Sequence, residues 1–150
     1  MTKFIGHDMT IDDQIERYLA SVPEPKQSDM RTLHAAILGM DPGCKLWFLD
    51  GTDESGKVVS NPNIGFGTLQ RKYSDGKTRE FYRVGISANA AGLSVYIMGI
   101  DERNYLPRTY AKTIGKAKIT GYCIRFKALK DIDLNTLKKA IQDGIEQARA

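Results

Sequence analysis

The sequence predicts an α+β fold in which helices at both ends of the chain pack on one face of a five-stranded antiparallel sheet. Apolar residues recur at helical spacing near both termini, whereas residues 45–100 alternate with a period of two between Gly, Asn, Asp and Ser. A length of 150 residues, 41% of them hydrophobic and 27% charged, fits an ordinary globular protein. We therefore expect one domain over residues 1–150.

Two helices are predicted before the sheet. The first begins after Thr10, because Thr10 and Asp13 have capping-box spacing and acidic residues fill the first turn. Pro23 ends this helix. Ser28 is then a candidate N-cap for a second helix over residues 29–39.

The remaining elements follow from alternation and turn chemistry. Strands are predicted at residues 45–49, 63–71, 79–88, 93–100 and 122–129. Short connections at Ser74–Gly76 and Asn89–Gly92 predict antiparallel hairpins, because a parallel crossover needs a dozen or more residues. Apolar residues between 105 and 114 fit one face of a short helix that Gly115 ends. Asp133 is a good N-cap for the last helix.

Several local strings, in their order and spacing, resemble a known family. They are Tyr18–Pro23, Lys45–Trp47, Ile64–Gly67, Tyr73–Gly76, Leu93–Ile97, Gly115–Lys116, Gly121–Ile124 and Asp131–Leu134. Over nearly the whole chain they resemble the YdhG-like family of small bacterial domains of unknown function. The resemblance implies a compact α+β domain, described for some relatives as frataxin-like, and one branch is regarded as iron chaperones. The chain departs from the family pattern at Phe48, where members often carry Gly, and at residues 88–91, where they often carry Pro with basic residues.

No motif in the sequence predicts catalysis, and no cofactor is expected. Neither His7 nor His34 lies in a catalytic pattern, Cys44 and Cys123 form no CxxC pair, and no nucleophile elbow or phosphate loop is present. No apolar run reaches the roughly 18 residues that span a bilayer, and the N-terminal segment lacks a signal-peptide core. The expectation is a cytoplasmic protein that is not an enzyme and has no membrane partner.

Carboxylates provide the candidate metal site. Asp12, Asp13 and Glu16 lie within about one turn of the first helix, and hard cations prefer oxygen ligands. Under the iron-chaperone hypothesis, iron would bind there. The alternative is that these acids only stabilise the helix dipole, which a net charge of +4 favours. A catalytic site could still form if Asp50 and Asp53 met Asp101 or Glu102 on folding.

Aromatic residues provide the candidate ligand site. Trp47, Tyr82, Tyr96, Tyr105 and Tyr122 are expected either to line a pocket between sheet and helices or to belong to the core. Basic residues provide a candidate anion site, because alternation places Arg83, Arg125 and Lys127 on the exposed sheet face and directs Tyr82 toward the helices. Cations interleaved with an aromatic can hold phosphate or stack a base.

These features lead to three hypotheses about function. The first is a non-enzymatic binding or accessory domain for a small molecule, a metal or a protein partner. The second is a frataxin-like intracellular iron chaperone. The third is a phosphate or nucleic-acid binder that uses the basic sheet face, although the small positive charge and the lack of an RNA-binding string weigh against nucleic acid.

Overall fold

A computed structural model describes residues 9–149; the first eight residues, His7 among them, and Ala150 lie outside the described part. The helices are α1 (Ile11–Ser21), α2 (Lys26–Met40), α3 (Tyr105–Ile114) and α4 (Leu134–Arg149). The strands are β1 (Leu46–Leu49), β2 (Asn63–Phe66), β3 (Leu69–Lys72), β4 (Thr78–Phe81), β5 (Val84–Asn89), β6 (Gly92–Ile97), β7 (Lys118–Ile119) and β8 (Cys123–Phe126). The α+β class is confirmed.

The first helix is capped as predicted, whereas the second begins earlier than predicted. In α1, Asp13 N donates to Thr10 Oγ1 at 3.1 Å and Thr10 N donates to Asp13 Oδ2 at 3.4 Å, which completes the capping box. Helix α2 starts at Lys26, so Ser28 is not its N-cap. The Glu24 carboxylate accepts hydrogen bonds from both the backbone N and the Oγ of Ser28, which satisfies an orphan donor of the first turn.

The prediction of five strands is wrong. Six antiparallel strands form the main sheet in the order β1-β2-β5-β6-β8-β7, and β3 pairs with β4 in a separate hairpin. The runs at 63–71 and 79–88 each split in two, because the chain turns out of the sheet at Gly67, which has a φ of +76°, and returns through residues 82–83. Strand β7 has only two residues, too few to show alternation.

Both predicted hairpin turns are confirmed. Tyr73 N donates to Lys77 O at 2.9 Å and closes the turn between β3 and β4. Between β5 and β6, the side-chain oxygen of Asn89 accepts hydrogen bonds from the backbone N of Ala91 at 2.9 Å and of Gly92 at 3.0 Å. Asn is typical of such turns because its side chain can bond the backbone of the turn, whereas Gly is typical because it tolerates a positive φ.

The core lies between the main sheet and the helices. Ile64, Ile86, Val95 and Ile124 are cross-strand neighbours and are fully buried. They pack in one cluster with apolar residues from all four helices, among them Leu19, Leu33, Leu106 and Leu137. Burial of each such side chain contributes about 1.5–3 kcal/mol. No helix within residues 9–149 is long and apolar enough to cross a bilayer.

Candidate functional site

We call the sheet face opposite the helices the open face. On this face, aromatic residues flank two central glycines. Trp47, Gly65, Gly85, Tyr96 and Cys123 are successive cross-strand neighbours on β1, β2, β5, β6 and β8. They alternate with the core residues of the same strands, so they lie on the opposite face. The two central glycines leave a shallow trough between the large residues on either side.

Tyr82 fills that trough. An ideal Cβ on Gly65 would lie 2.5 Å from Tyr82 Cδ2, and one on Gly85 would lie 2.6 Å from Tyr82 Cε1, so the ring lies directly on the backbone of both strands. Phe81 stacks against Tyr82 with centroids 4.2 Å apart, and Tyr82 is only 5% exposed. The prediction that Tyr82 faces the helices is wrong, because β4 ends before it and the alternation loses its phase.

Tyr96 and Tyr122 continue the aromatic surface away from Tyr82. Their rings are stacked, with centroids 6.3 Å apart and planes inclined by 22°. Burial raises the pKa of the Tyr82 and Tyr96 hydroxyls, so both stay protonated near neutral pH. Tyr122 is 52% exposed. We call Trp47, Tyr82, Tyr96 and Tyr122 the aromatic band.

Trp47 is held at the start of the band by polar contacts. Its indole N–H donates to the carbonyl oxygen of Gly67 at 2.9 Å. The Lys45 ammonium lies 4.3 Å from the indole centroid and 2.8 Å from a carboxylate oxygen of Glu80 on β4. The Lys45–Glu80 ion pair and an edge contact between Trp47 and Phe81, with centroids 6.1 Å apart, join the β3–β4 hairpin to the edge of the main sheet. Trp47 therefore has a fixed position beneath the hairpin.

A cleft of 780 Å³ lies between the hairpin and the exposed end of the aromatic band. Strand β3 forms one wall, and residues 98–101, Arg103, residues 121–122 and the end of α4 form the rest. Arg71, Lys72 and Arg103 line it with one carboxylate, Asp101, and with Tyr122. Within residues 9–149 none of these three cations forms an ion pair. The cleft therefore has a surplus of positive charge.

The predicted anion-site residues lie apart from this cleft. Arg83 Nη1 lies 3.3 Å from Asp41 Oδ2, in an ion pair whose side chains are 19% and 10% exposed. Arg125 is exposed on the open face beside Ser94, and Lys127 is exposed just beyond β8. Arg83 is thus not grouped with the other two.

The sequence analysis missed the basic residues of the cleft because they come from segments far apart in the chain. Arg71 and Lys72 belong to a strand whose residues are almost all exposed, and Arg103 lies in the loop before α3. The available signal was the density of Lys and Arg around the Ser74–Gly76 turn. Alternation within one strand cannot show which distant segment lies across a cleft from it.

The predicted metal-site residues have structural contacts at the start of α1. Asp13 completes the capping box, and Glu16 accepts two hydrogen bonds from Arg31, at 2.8 and 2.7 Å, which lower the pKa of its carboxyl. Asp12 is exposed. In the described part of the chain, no three His, Cys, Asp or Glu side chains converge as metal ligands would. Iron binding at Asp12, Asp13 and Glu16 stays a prediction.

The acids considered for a hidden catalytic site stabilise local structure. Asp50 Oδ1 accepts hydrogen bonds from the backbone and hydroxyl of Thr52, and these bonds lower the pKa of Asp50. Asp53 makes the equivalent contacts with Ser55, with the same effect on its pKa. Glu102 forms an exposed ion pair with Arg108 on α3. Each carboxylate thus caps a turn or pairs with a neighbour.

Tyr105, the fifth predicted ligand residue, lies away from the aromatic band. The hydroxyls of Tyr105 and Tyr110 both donate to Asp143 Oδ2, the latter at 2.8 Å, and Gln147 donates to Asp143 Oδ1 at 2.9 Å. Burial by itself would raise the pKa of Asp143, but the three hydrogen bonds outweigh it and lower the pKa. Tyr105 therefore helps to join α3 to α4.

Asp143→Asn is expected to destabilise the protein by roughly 1–3 kcal/mol at pH 7, because two tyrosine hydroxyls lose a charged acceptor. A depressed pKa stabilises the fold above the unfolded value of about 3.8, and this contribution is lost as the pH falls through the folded value. The variant should therefore show a shallower loss of stability below about pH 4. Urea unfolding at several pH values measures both effects, and parallel acid limbs in the two proteins would contradict the assignment.

No family model, curated protein or solved structure matches the chain. The resemblance to the YdhG-like family therefore stays a hypothesis that rests on the ordered strings of the sequence.

Proposed function

We propose that this chain is a non-enzymatic binding domain that holds a small anionic ligand in the cleft beside the β3–β4 hairpin. The main support is that Arg71, Lys72 and Arg103 line one cleft and form no ion pair within the described residues. Asp101 is the one carboxylate among the described residues that line it. Cations that line a concave surface attract anions and keep part of their attraction near low-dielectric walls. Phosphate and carboxylate groups have the charge and geometry that such cations bind.

The hairpin is attached firmly enough to preorganise this site. Leu69 on β3 pairs with Phe81 on β4, and Phe81 in turn stacks on the buried ring of Tyr82. The Arg71 guanidinium lies 6.0 Å from the Phe81 ring. On the opposite wall, an ideal Cβ at Gly121 would lie 3.2 Å from the carbonyl oxygen of Arg103, so the two backbones are in close contact. Preorganisation of this kind lowers the entropic cost of binding.

The contacts of the acidic residues fit a binding role better than a catalytic one. Asp50 and Asp53 cap turns, Glu102 pairs with Arg108, and none of the three lines the cleft, whose one carboxylate among the described residues is Asp101, without the second carboxylate that a carboxylate acid–base pair needs. A role as an iron chaperone, a frataxin-like relationship and a cytosolic location remain predictions from the sequence. The small-molecule form of the leading hypothesis is the one that the cleft favours.

Calorimetric titration with pyrophosphate tests the proposal, because this probe has charge without any apolar group. At about 10 mM ionic strength, where screening is weak, we expect saturable binding with one site per chain. At about 1 M salt, where the Debye length is about 3 Å, binding should be lost. Heats that do not saturate at low salt would contradict the proposal.

A further inference from the structure

One face of the Tyr122 ring takes no part in the proposed anion site. Tyr122 stacks on Tyr96 through one face, yet the side chain is 52% exposed and also lines the cleft. Exposed single aromatics are common, but this one is supported from behind by a second ring and lies in the same cleft as three cations. A planar group entering the cleft can therefore stack on Tyr122 and extend the existing pair of rings.

The cleft has room for a ligand larger than a simple anion. At 780 Å³ it lies within the range of about 300–1,000 Å³ that is typical of small-molecule sites. Gln70 also lines it and offers amide hydrogen-bonding groups to a polar ring edge, whereas Gln147, which lines it too, donates its Nε2 to Asp143. Charge, a stacking surface and amides together match a molecule that has both an anionic group and a heteroaromatic ring.

We propose that the ligand is a nucleoside phosphate, with its phosphates on Arg71, Lys72 and Arg103 and its base stacked on Tyr122. This inference rests on the proposed function, because it assigns the ring as well as the charge of the same ligand. Base stacking on an aromatic side chain tolerates any base, since every base has a π-face. The affinity therefore depends on the presence of a base more than on its identity.

Four probes separate the parts of this proposal: pyrophosphate has the charge alone, adenosine has the ring alone, ADP has both, and a single-stranded oligonucleotide of ten adenylates repeats both along a chain. In calorimetric titrations at equal ionic strength, we expect ADP to bind roughly 5- to 150-fold more tightly than pyrophosphate, the range that stacking of one base implies. ADP should also bind more tightly than adenosine. An oligonucleotide that binds more tightly per site than ADP would indicate a nucleic-acid strand as the occupant and would overturn the assignment.

Tyr122→Ala should reduce ADP affinity by the same factor and leave pyrophosphate affinity unchanged. Tyr122→Trp retains a stacking surface and should keep ADP affinity, so the test remains decisive if the alanine variant folds poorly. Tyr73→Ala is the matched control, because Tyr73 is 38% exposed on the hairpin but does not line the cleft. It should alter neither affinity.

The outcomes distinguish the two proposals. If pyrophosphate binds but ADP binds no more tightly, or if Tyr122→Ala leaves ADP affinity unchanged, the base is not held on Tyr122 and only the anion site stands. If no anion binds, the proposed function fails together with the inference. Upfield shifts of the ADP base protons on binding, absent with Tyr122→Ala, would be the direct spectroscopic sign of stacking.

Discussion

Gly85→Ala is expected to lower the free energy of unfolding by about 1–3 kcal/mol, although alanine is normally the better residue in a regular strand. The reason is the ring of Tyr82, which occupies the position of the new methyl group: an ideal Cβ would lie 2.6 Å from both Cε1 and Cζ. Tyr82 is only 5% exposed and Phe81 stacks against it, so the ring has little room to move. Thermal or urea unfolding measures the loss, which corresponds to about 2–4 °C in Tm for each kcal/mol.

A double-mutant cycle identifies the cause. In a Tyr82→Ala background the methyl group meets no ring, so Gly85→Ala should cost almost nothing there. Gly39→Ala is the matched glycine control, since no atom lies within 4 Å of the new Cβ, and it should stabilise α2 by up to about 1 kcal/mol. A cost at Gly85 that persists without Tyr82 would show that the ring does not lie on the sheet.

Reversal of charge at two walls of the cleft is expected to lower pyrophosphate affinity by at least about 100-fold. The variant Arg71→Glu with Arg103→Glu removes one cation from β3 and one from the opposite wall, and each charge-assisted hydrogen bond is worth about 1.5–3 kcal/mol. Repulsion from the new carboxylates adds to this loss. Both positions are exposed and form no ion pair in the described residues, so stability should change little.

The matched control has the same change in net charge at positions outside the cleft. Lys57 and Lys77 are exposed residues of turns, and neither lines the cleft. Lys57→Glu with Lys77→Glu should therefore lower pyrophosphate affinity only slightly, through the long-range field of the protein. Equal losses in the two double variants would mean that pyrophosphate responds to net charge alone and that the cleft is not its site.

Elements with a local chemical cause were predictable from the sequence. The capping box at Thr10, the turn at Asn89 and the end of α3 at Gly115 all depend on residues within a few positions of one another. The strand count failed because its determinants are not local. A run that alternates through Gly67 gives no sign that its second half leaves the sheet to pair with the start of another run.

The same distinction explains the result for the candidate site. Aromatic composition drew attention to Trp47, Tyr96 and Tyr122, but the expected place between sheet and helices is wrong for them, because their strands turn these rings to the open face. The orientation of Tyr82 depends on two glycines from other strands, so alternation within its own segment predicted the wrong face. The cleft depends on the position of the hairpin over the sheet, and only the folded chain brings Arg71 and Arg103 to the same cavity.

Mapping the bound anion onto individual backbone amides tests the central claim most directly. In a titration of ¹⁵N-labelled protein with pyrophosphate at low salt, we expect saturable shifts confined to residues 69–72, 98–101, 103, 121–122 and 147–148, which form the walls of the cleft. Shifts confined to the start of α1, to Arg83 or to the helical surface, with the cleft amides unmoved, would contradict the assignment.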